Sequence, residues 1–307
     1  MTQTSTKVRQ GLIYQSVAGF YYIWSKGQSY ATKPKGLFRH TKDKPLVGDQ
    51  VRFEIDDADP SQVGRLNEIL PRHNALIRPS IANVDHAILV VSLREPDFSY
   101  NLLDYFLVTL ASYKIEPVIV LTKYDLLLNE KGADADDLVA TILSLYQKIG
   151  YQVLVLDQGP AGLQKLKDLI QEGIYLVTGQ SGVGKSTLLN RLIPQAQIAT
   201  QEISQSLNRG RHTTREVTLY PYGDGFLADT PGFSALSFDH LEKKDLASCF
   251  PEIRAASQDC RFRTCLHLNE PHCQVKALVE KGEIATSRYQ NYLQILDKIM
   301  TKKITYK

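Results

Sequence analysis

Long hydrophobic runs are missing from this 307-residue chain. Its best apolar stretches, Ala87–Val91 and Val118–Leu121, fall far short of the ~18–20 residues of a membrane-spanning helix and read as buried strands. The N-terminal Met1–Lys7 is not followed by an apolar core, so no secretory signal and no membrane association are expected. Cysteine is scarce: there are four, three of them crowded between residues 260 and 273. That argues against a disulfide framework and for a reducing, cytoplasmic setting. Acidic charge is nearly absent from residues 1–44, where eight lysines and arginines meet only Asp43. Such a segment suits a polyanion, most often nucleic acid, or else is a solvated basic face with no partner. What remains, 43% hydrophobic and 22% charged, is ordinary globular composition in a length for two or three domains, without repeats or low-complexity tracts.

Residues 10–70 read as five short strands with turn punctuation: Gly11–Gln15, Phe20–Trp24, Ser29–Ala31, Gly36–Arg39 and Gln50–Ile55. Five short strands suit a small closed barrel, an OB-fold or its SH3-like competitor. Phe20, Tyr21, Tyr22, Trp24, Tyr30 and Phe38 alternate with lysines, so some fill the barrel and others are placed to stack on bases. After Pro71 apolar strands alternate with helices: strand Asp85–Val91, helix Asn101–Tyr113, strand Glu116–Leu121, helix Leu138–Ile149, strand Tyr151–Leu156, helix Leu163–Gln171 and strand Ile174–Thr178. This is an α/β pattern with a parallel sheet covered on both faces. A hairpin follows over 217–229. The chain then turns helical and polar from about Ser234, ending in a helix near Ser287–Ile299.

Gly179, Gln180, Ser181, Gly182, Val183, Gly184, Lys185 and Ser186, with Thr187 following, match G-x-x-x-x-G-K-[ST] between a strand and a helix. Glycines let backbone N–H groups curl around a phosphate at a helix N-terminus; Lys185 then spans the β- and γ-phosphates, and the Ser186 hydroxyl is a magnesium ligand. A chance glycine-rich turn would lack those flanks. Asp229 to Gly232 reads as D-x-x-G, whose aspartate holds magnesium through water and whose glycine N–H senses the γ-phosphate. Thr122, Lys123, Tyr124 and Asp125 resemble N-K-x-D, in which the aspartate accepts from guanine N1 and N2, donors that adenine lacks. Alone, that pattern also describes a helix cap. At the C-terminal end of a parallel strand it occupies a ligand-binding position.

The order of the motifs is unusual. The guanine pattern at 122 precedes the phosphate loop at 179, and D-x-x-G comes last, which is a circular permutation of the ordinary GTPase order. The combination resembles the circularly permuted GTPases of bacterial small-ribosomal-subunit biogenesis, the RsgA (YjeQ) family, over nearly the whole chain. Val47-Gly-Asp-Gln-Val51, the phosphate loop, Gly210-Arg-His-Thr-Thr214 and Asp229-Thr-Pro-Gly-Phe233 carry the likeness. The resemblance implies an N-terminal OB-fold RNA-binding domain at 1–70, a permuted P-loop GTPase domain at 71–234 and a helical zinc-binding domain at 235–307. Two positions depart from the usual pattern. Thr122 replaces asparagine, and Leu156-Asp157-Gln158 stands where a Ser-Ala pair usually backs the base. Phe233 occupies the place of the glutamine that orients water in Ras-like enzymes, so that water needs another holder. His212 is the local candidate, unless it is only an exposed loop histidine. Thr213 or Thr214 would close on magnesium and the γ-phosphate, which makes these three the candidate catalytic residues.

Cys260, Cys265, His267 and Cys273 give C-x4-C-x-H-x5-C, three thiolates and an imidazole suited to closed tetrahedral zinc. The set also resembles the family's zinc site; His272 is the alternative nitrogen ligand, a disulfide the alternative chemistry, and Cys249 a spare core residue. The implied protein is a cytoplasmic, monomeric enzyme that hydrolyses GTP to GDP with Mg2+ and one structural Zn2+. It would act on the 30S subunit and its 16S rRNA late in assembly. Two other classes compete: an RNA-binding guanine-nucleotide switch with negligible turnover, and a P-loop ATPase or kinase in which T-K-x-D is coincidence.

Overall fold

Strand β1 (Lys7–Val17) is long enough to pair along one half with β2 (Phe20–Ser25) and along the other with β4 (Gln50–Ile55), both antiparallel. β2 pairs with β3 (Gln28–Pro34), β3 runs parallel to β5 (Gly64–Ile69), and β5 pairs back onto β4. The circuit β1-β2-β3-β5-β4-β1 closes, and closure leaves no free edge among the described strands of the barrel. The computed structural model that contains this OB-like barrel describes residues 7–39, 44–55, 63–157, 159–194, 217–229 and 240–301.

One of the five expected strands is misplaced. Gly36–Arg39 is a turn of 3-10 helix, and the fifth strand is Gly64–Ile69. Parallel pairing of β3 ends at Pro34 opposite Leu66; the Lys35 N–H still bonds the Leu66 carbonyl (3.1 Å), and the Phe38 N–H then turns back onto Lys35 (3.0 Å). The pleat sorts the aromatics. Ile23 and Ser25 point into the barrel with Phe53 and Leu66, whereas Tyr22 and Trp24 face outward and gather around Tyr14, ring centroids 6.3 and 6.2 Å away. The Val47–Val51 motif is a joint. Buried Asp49 holds Arg72 through Nε and Nη2 (2.6 and 2.7 Å), and Asn83 Nδ2 donates to the Gly48 carbonyl (2.9 Å). That ties the barrel to the short hairpin β6 (Ala75–Leu76) and β7 (Ile81–Ala82).

The described residues divide into two units, each interrupted in sequence: 1–86, 167–178 and 185–233 in one, and 87–166, 179–184 and 234–307 in the other. In the second, β8 (His86–Ser92) leads to α1 (Tyr100–Ser112), β9 (Glu116–Thr122), α2 (Tyr124–Lys131), α3 (Asp134–Ile149) and β10 (Gln152–Val155), with strand order β10-β9-β8 and β10 parallel to β9. Beyond α4 (Pro160–Leu169), the first unit adds β11 (Ile174–Thr178), α5 (Lys185–Leu192), β12 (Thr218–Tyr222) and β13 (Gly225–Asp229). There β13 is parallel to β11 and antiparallel to β12, as the hairpin reading expected. Helix α2 escaped sequence reading because only Leu127 among its eight residues is buried, which leaves no periodic stripe. No helix among the described residues is long and apolar enough to cross a membrane.

The C-terminal helices α6 (Pro251–Ser257), α7 (Gln274–Glu280) and α8 (Thr286–Thr301) pack with α1 around Phe250, Ile253, Val275, Tyr292, Ile295 and Leu296. Inside this apolar contact lies an ion network. Arg288, 1% exposed, bonds Asp104 of α1 (2.6 Å) and both oxygens of Glu252 (2.6 and 3.1 Å). Asn291 and the Tyr146 hydroxyl donate to the remaining valences of Asp104 (2.6 and 2.7 Å). Burial favours a neutral Arg288, but the two carboxylates outweigh it and hold the guanidinium above its ordinary value, so it stays charged. Removing one member strands the others in a dry site, so Asp104→Ala is expected to destabilise the chain by ~3–5 kcal/mol. Urea unfolding of the two proteins measures it.

Candidate nucleotide site and metal centre

The strand β9 delivers the base motif. Val118–Leu121 are buried and the strand ends at Thr122; Lys123 then takes a left-handed backbone (φ 59°), and α2 starts at Tyr124 with Asp125 in its first turn. The Thr122 hydroxyl donates to the Val183 carbonyl at 2.7 Å. Threonine thus makes a direct contact to the phosphate loop. The Lys123 ammonium donates to the Glu95 carbonyl, and the Tyr124 hydroxyl to Asp136 of α3.

The phosphate loop leaves β11 at Gly179 and enters α5 at Lys185. Gly179, Gly182 and Gly184 all have positive φ (139°, 82° and 97°). At Gly179 a Cβ would sit 2.1 Å from the Val90 carbonyl, so close approach as well as backbone conformation demands glycine. Gln180, Ser181 and Gly182 are exposed while Val183 is 2% exposed, which anchors the loop and opens its rim. Lys185 is half-buried, and burial pulls its ammonium below the usual range; Ser186 and Thr187 lie exposed in the first turn of α5. Asp229 ends β13, one residue beyond the pair Leu176–Ala228, so D-x-x-G begins level with the strand that feeds the phosphate loop. Gly232, His212, Thr213 and Thr214 lie outside the described residues, as do Phe233 and Gln158. The Asp157 carboxylate accepts the Gly159 N–H (3.0 Å).

The donor atoms of Cys260, Cys265, His267 and Cys273 lie within 4.8 Å of one another, and all four cysteines of the chain are free thiols. His267 Nδ1 is 3.4 Å from Cys273 Sγ and 3.7 Å from Cys260 Sγ, and those two sulfurs are 4.0 Å apart. Tetrahedral zinc with Zn–S of about 2.3 Å and Zn–N of about 2.0 Å requires separations of about 3.5–3.8 Å, so the set fits that ion. His272 is not in the cluster. Burial pushes the Cys265 thiol up to about 12 and holds His267 in its neutral, ligating form. His267 Nε2 is buried without a partner among the described residues, so the ring's polar outlet is the cluster that Nδ1 faces.

Sequence reasoning missed what stiffens this loop. Glu270 accepts the N–H groups of Leu266 and Leu268 (both 2.8 Å), and from α8 Tyr289 and Tyr292 donate to the carbonyls of His267 (2.6 Å) and Leu266 (3.0 Å). The signal available was an acidic residue between two ligands and tyrosines three apart on one helix face. The four residues between Cys260 and Cys265, Arg261 to Thr264, are all exposed, and the Arg261 guanidinium lies over the Phe262 ring, 5.6 Å from its centroid.

The description of the RsgA GTPase family matches residues 69–239, and that of the RsgA N-terminal domain matches residues 10–63. The chain belongs to the RsgA GTPase family. It is therefore a GTP hydrolase with the permuted motif order seen in its sequence. "Small ribosomal subunit biogenesis GTPase RsgA" of Enterococcus faecalis is 48% identical, over 97% of this chain and 98% of that protein. "Small ribosomal subunit biogenesis GTPase RsgA 2" of Listeria innocua is 46% identical over 97% and 99%. Among solved structures, YloQ, described as a circularly permuted GTPase, superposes with a TM-score of 0.83 at 37% identity, covering 100% of this chain and 99% of that one. YjeQ from Thermotoga maritima superposes with 0.81 at 31% identity, over 97% and 100%.

Two substitutions probe the geometry. Thr122→Val keeps the shape and removes the donor, so GDP and GTP are expected to bind about fivefold more weakly and to equal degree, with Thr122→Ser near wild type; competition binding measures both. Cys265→Ser is expected to abolish zinc content, read by elemental analysis, and to lower the thermal stability of the α6–α8 module.

Proposed function

We propose that this chain is a cytoplasmic GTPase that binds the small ribosomal subunit and its 16S rRNA late in assembly and leaves on hydrolysing GTP. The observation that carries the nucleotide half is the Thr122–Val183 hydrogen bond, because it seats the base motif on the phosphate loop two residues before Lys185. Asp125 accepts from guanine N1 and N2. The backbone N–H groups of Gly179–Gly184 cradle the phosphates and Lys185 spans β and γ. Ser186 and Asp229 would hold Mg2+, which would supply charge neutralisation at the phosphates. Thr213 or Thr214 closes over the γ-phosphate, the Gly232 N–H senses it, and His212 orients the water that Phe233 cannot. A site that depends on a closing segment turns over slowly until a partner orders that segment.

The ribosomal half rests on the named relatives and on two surfaces. On the barrel, Tyr14, Tyr22 and Trp24 form an outward aromatic cluster, Lys33 lies over the Phe20 ring (4.7 Å), and an open cleft of about 480 Å3 is lined by Lys33, Lys35 and Arg65. On the zinc loop, exposed Phe262 sits between Arg261 and Arg263. Stacking faces flanked by cations suit unpaired bases and their phosphates. In this reading residues 1–70 grip RNA, 71–234 hydrolyse GTP and 235–307, stiffened by zinc, hold the subunit, with the protein acting as a monomer.

GTP turnover with and without 30S subunits tests the proposal: stimulation is expected, and Lys185→Ala is expected to cut turnover roughly 10²-fold or more. Turnover that stays negligible with 30S present would leave a binding switch. Asp125→Asn is expected to weaken GTP about 100-fold and to favour xanthosine triphosphate. Binding to 16S rRNA should fall log-linearly with salt, and Lys33→Gln with Lys35→Gln should lower the slope by roughly 0.7–0.9 per contact removed. A salt-insensitive interaction would point to protein contacts.

A further inference from the structure

The loop between β8 and α1 belongs to none of the nucleotide motifs, yet it touches both the base motif and the phosphate loop. The Leu93 N–H bonds the Thr122 carbonyl (3.0 Å), and the Glu95 carbonyl holds the Lys123 ammonium. A Cβ on Gly182 would lie 3.9 Å from Pro96. Between these contacts Arg94 reaches two carboxylates, Asp97 in its own loop and Glu130 near the end of α2. The Ser92 hydroxyl donates to the Arg94 carbonyl and pins the turn.

Helix α2 needs such a tie. It is eight residues long, only Leu127 is buried, and its N-cap position, Lys123, offers no side-chain cap. A helix this short with one buried side chain takes little orientation from packing. Its ends are tied by Tyr124 to Asp136 at the start and by Glu130 to Arg94 at the end. Asp125 projects from its first turn, and reading two guanine donors with one carboxylate tolerates displacements of only ~0.5 Å. Rotation or fraying of α2 would misplace that carboxylate before it affected the phosphate contacts.

We infer that Arg94 is a positioning residue for guanine recognition: by clamping Glu130 and Asp97 it sets the orientation of α2, and hence of Asp125, and fixes the loop whose Glu95 carbonyl holds Lys123. The inference rests on the assignment of Asp125 to the base. Hypoxanthine separates orientation of Asp125 from general loosening, because it keeps the guanine N1 donor and lacks the 2-amino group.

Dissociation constants of the full chain for GDP and IDP test it, with Arg94→Gln, Glu130→Gln and the reversed pair Arg94→Glu with Glu130→Arg. Arg94 and Glu130 are partly exposed, so Arg94→Gln is expected to weaken GDP by about three- to fivefold, the effect of a surface ion pair, and IDP by less. Glu130→Gln should act in the same direction. The reversed pair remakes the tie to α2 but sets a glutamate against Asp97, so it should recover only part of the GDP affinity lost in Arg94→Gln. Saturated turnover should be unchanged in Arg94→Gln, since the γ-phosphate contacts are untouched. GDP affinity equal to wild type in Arg94→Gln overturns the inference. So does an equal loss for GDP and IDP, which would mark a structural brace of the whole loop. Asp125→Asn runs alongside: if it leaves GDP binding intact, the base assignment itself fails, whereas a loss there with none in Arg94→Gln sinks only the role of Arg94.

Discussion

One hydrogen bond makes the permuted motif order workable. The Thr122 hydroxyl on the Val183 carbonyl joins the end of β9 to the glycine-rich loop, so the T-K-x-D segment and that loop are in contact although the chain visits them in inverted order. A parallel sheet places the C-terminal ends of its strands side by side whatever the connectivity, and each motif needs only its own strand end. The permutation therefore alters which loops are covalently linked without altering what the site presents. It also moves the loop after β8 to the start of the nucleotide-binding half, where Leu93 and Glu95 bond Thr122 and Lys123.

Two further rigid features flank this site. The phosphate loop is confined by Gly179, whose approach to the Val90 carbonyl admits no side chain, and by Val183, the one buried side chain of its tip. In the N-terminal half of α1, Asp104 joins Arg288 and Glu252 in a network inside the apolar contact between α1 and the C-terminal helices. A buried ionic network contributes less to net stability than an apolar filling of the same volume would, but it accepts only one register of helix against helix. The same α8 that supplies Arg288 and Asn291 supplies Tyr289 and Tyr292 to the carbonyls of the metal loop. One helix thus fixes both the docking of the module and the shape of its ligand set.

Much was legible in the chain because short motifs carry their own geometry. Glycines at 179, 182 and 184, the Lys185–Ser186 pair and the Cys-Cys-His-Cys spacing specify backbone curvature and ligand chemistry locally, and the structure brings the four metal donors together as that spacing implied. The alternation of buried strands with helices after Pro71 was equally local. The errors fell where the deciding partner is distant in sequence. Gly36–Arg39 has strand-like composition, but the partner of β3 at that point is Leu66 on β5, which ends the pairing and turns the chain. Helix α2 has almost no buried face and so left no periodic signal.

The sequence by itself determined the chemistry available to this protein: a phosphate loop, an aspartate able to read guanine, a thiol-rich metal set and a basic, aromatic N-terminal barrel. Those properties depend on residue identity and on separations of a few positions, which the polypeptide enforces locally. Only the tertiary structure decided which aromatics of β2 face outward, that His267 rather than His272 completes the metal cluster, and that Thr122 reaches Val183. It alone showed that Arg94 pairs with Glu130. Each of these turns on the direction in which a side chain leaves the pleat or turn, and on a partner tens of residues away. Closure of the sheet and burial of the core set such relations; spacing along the chain does not.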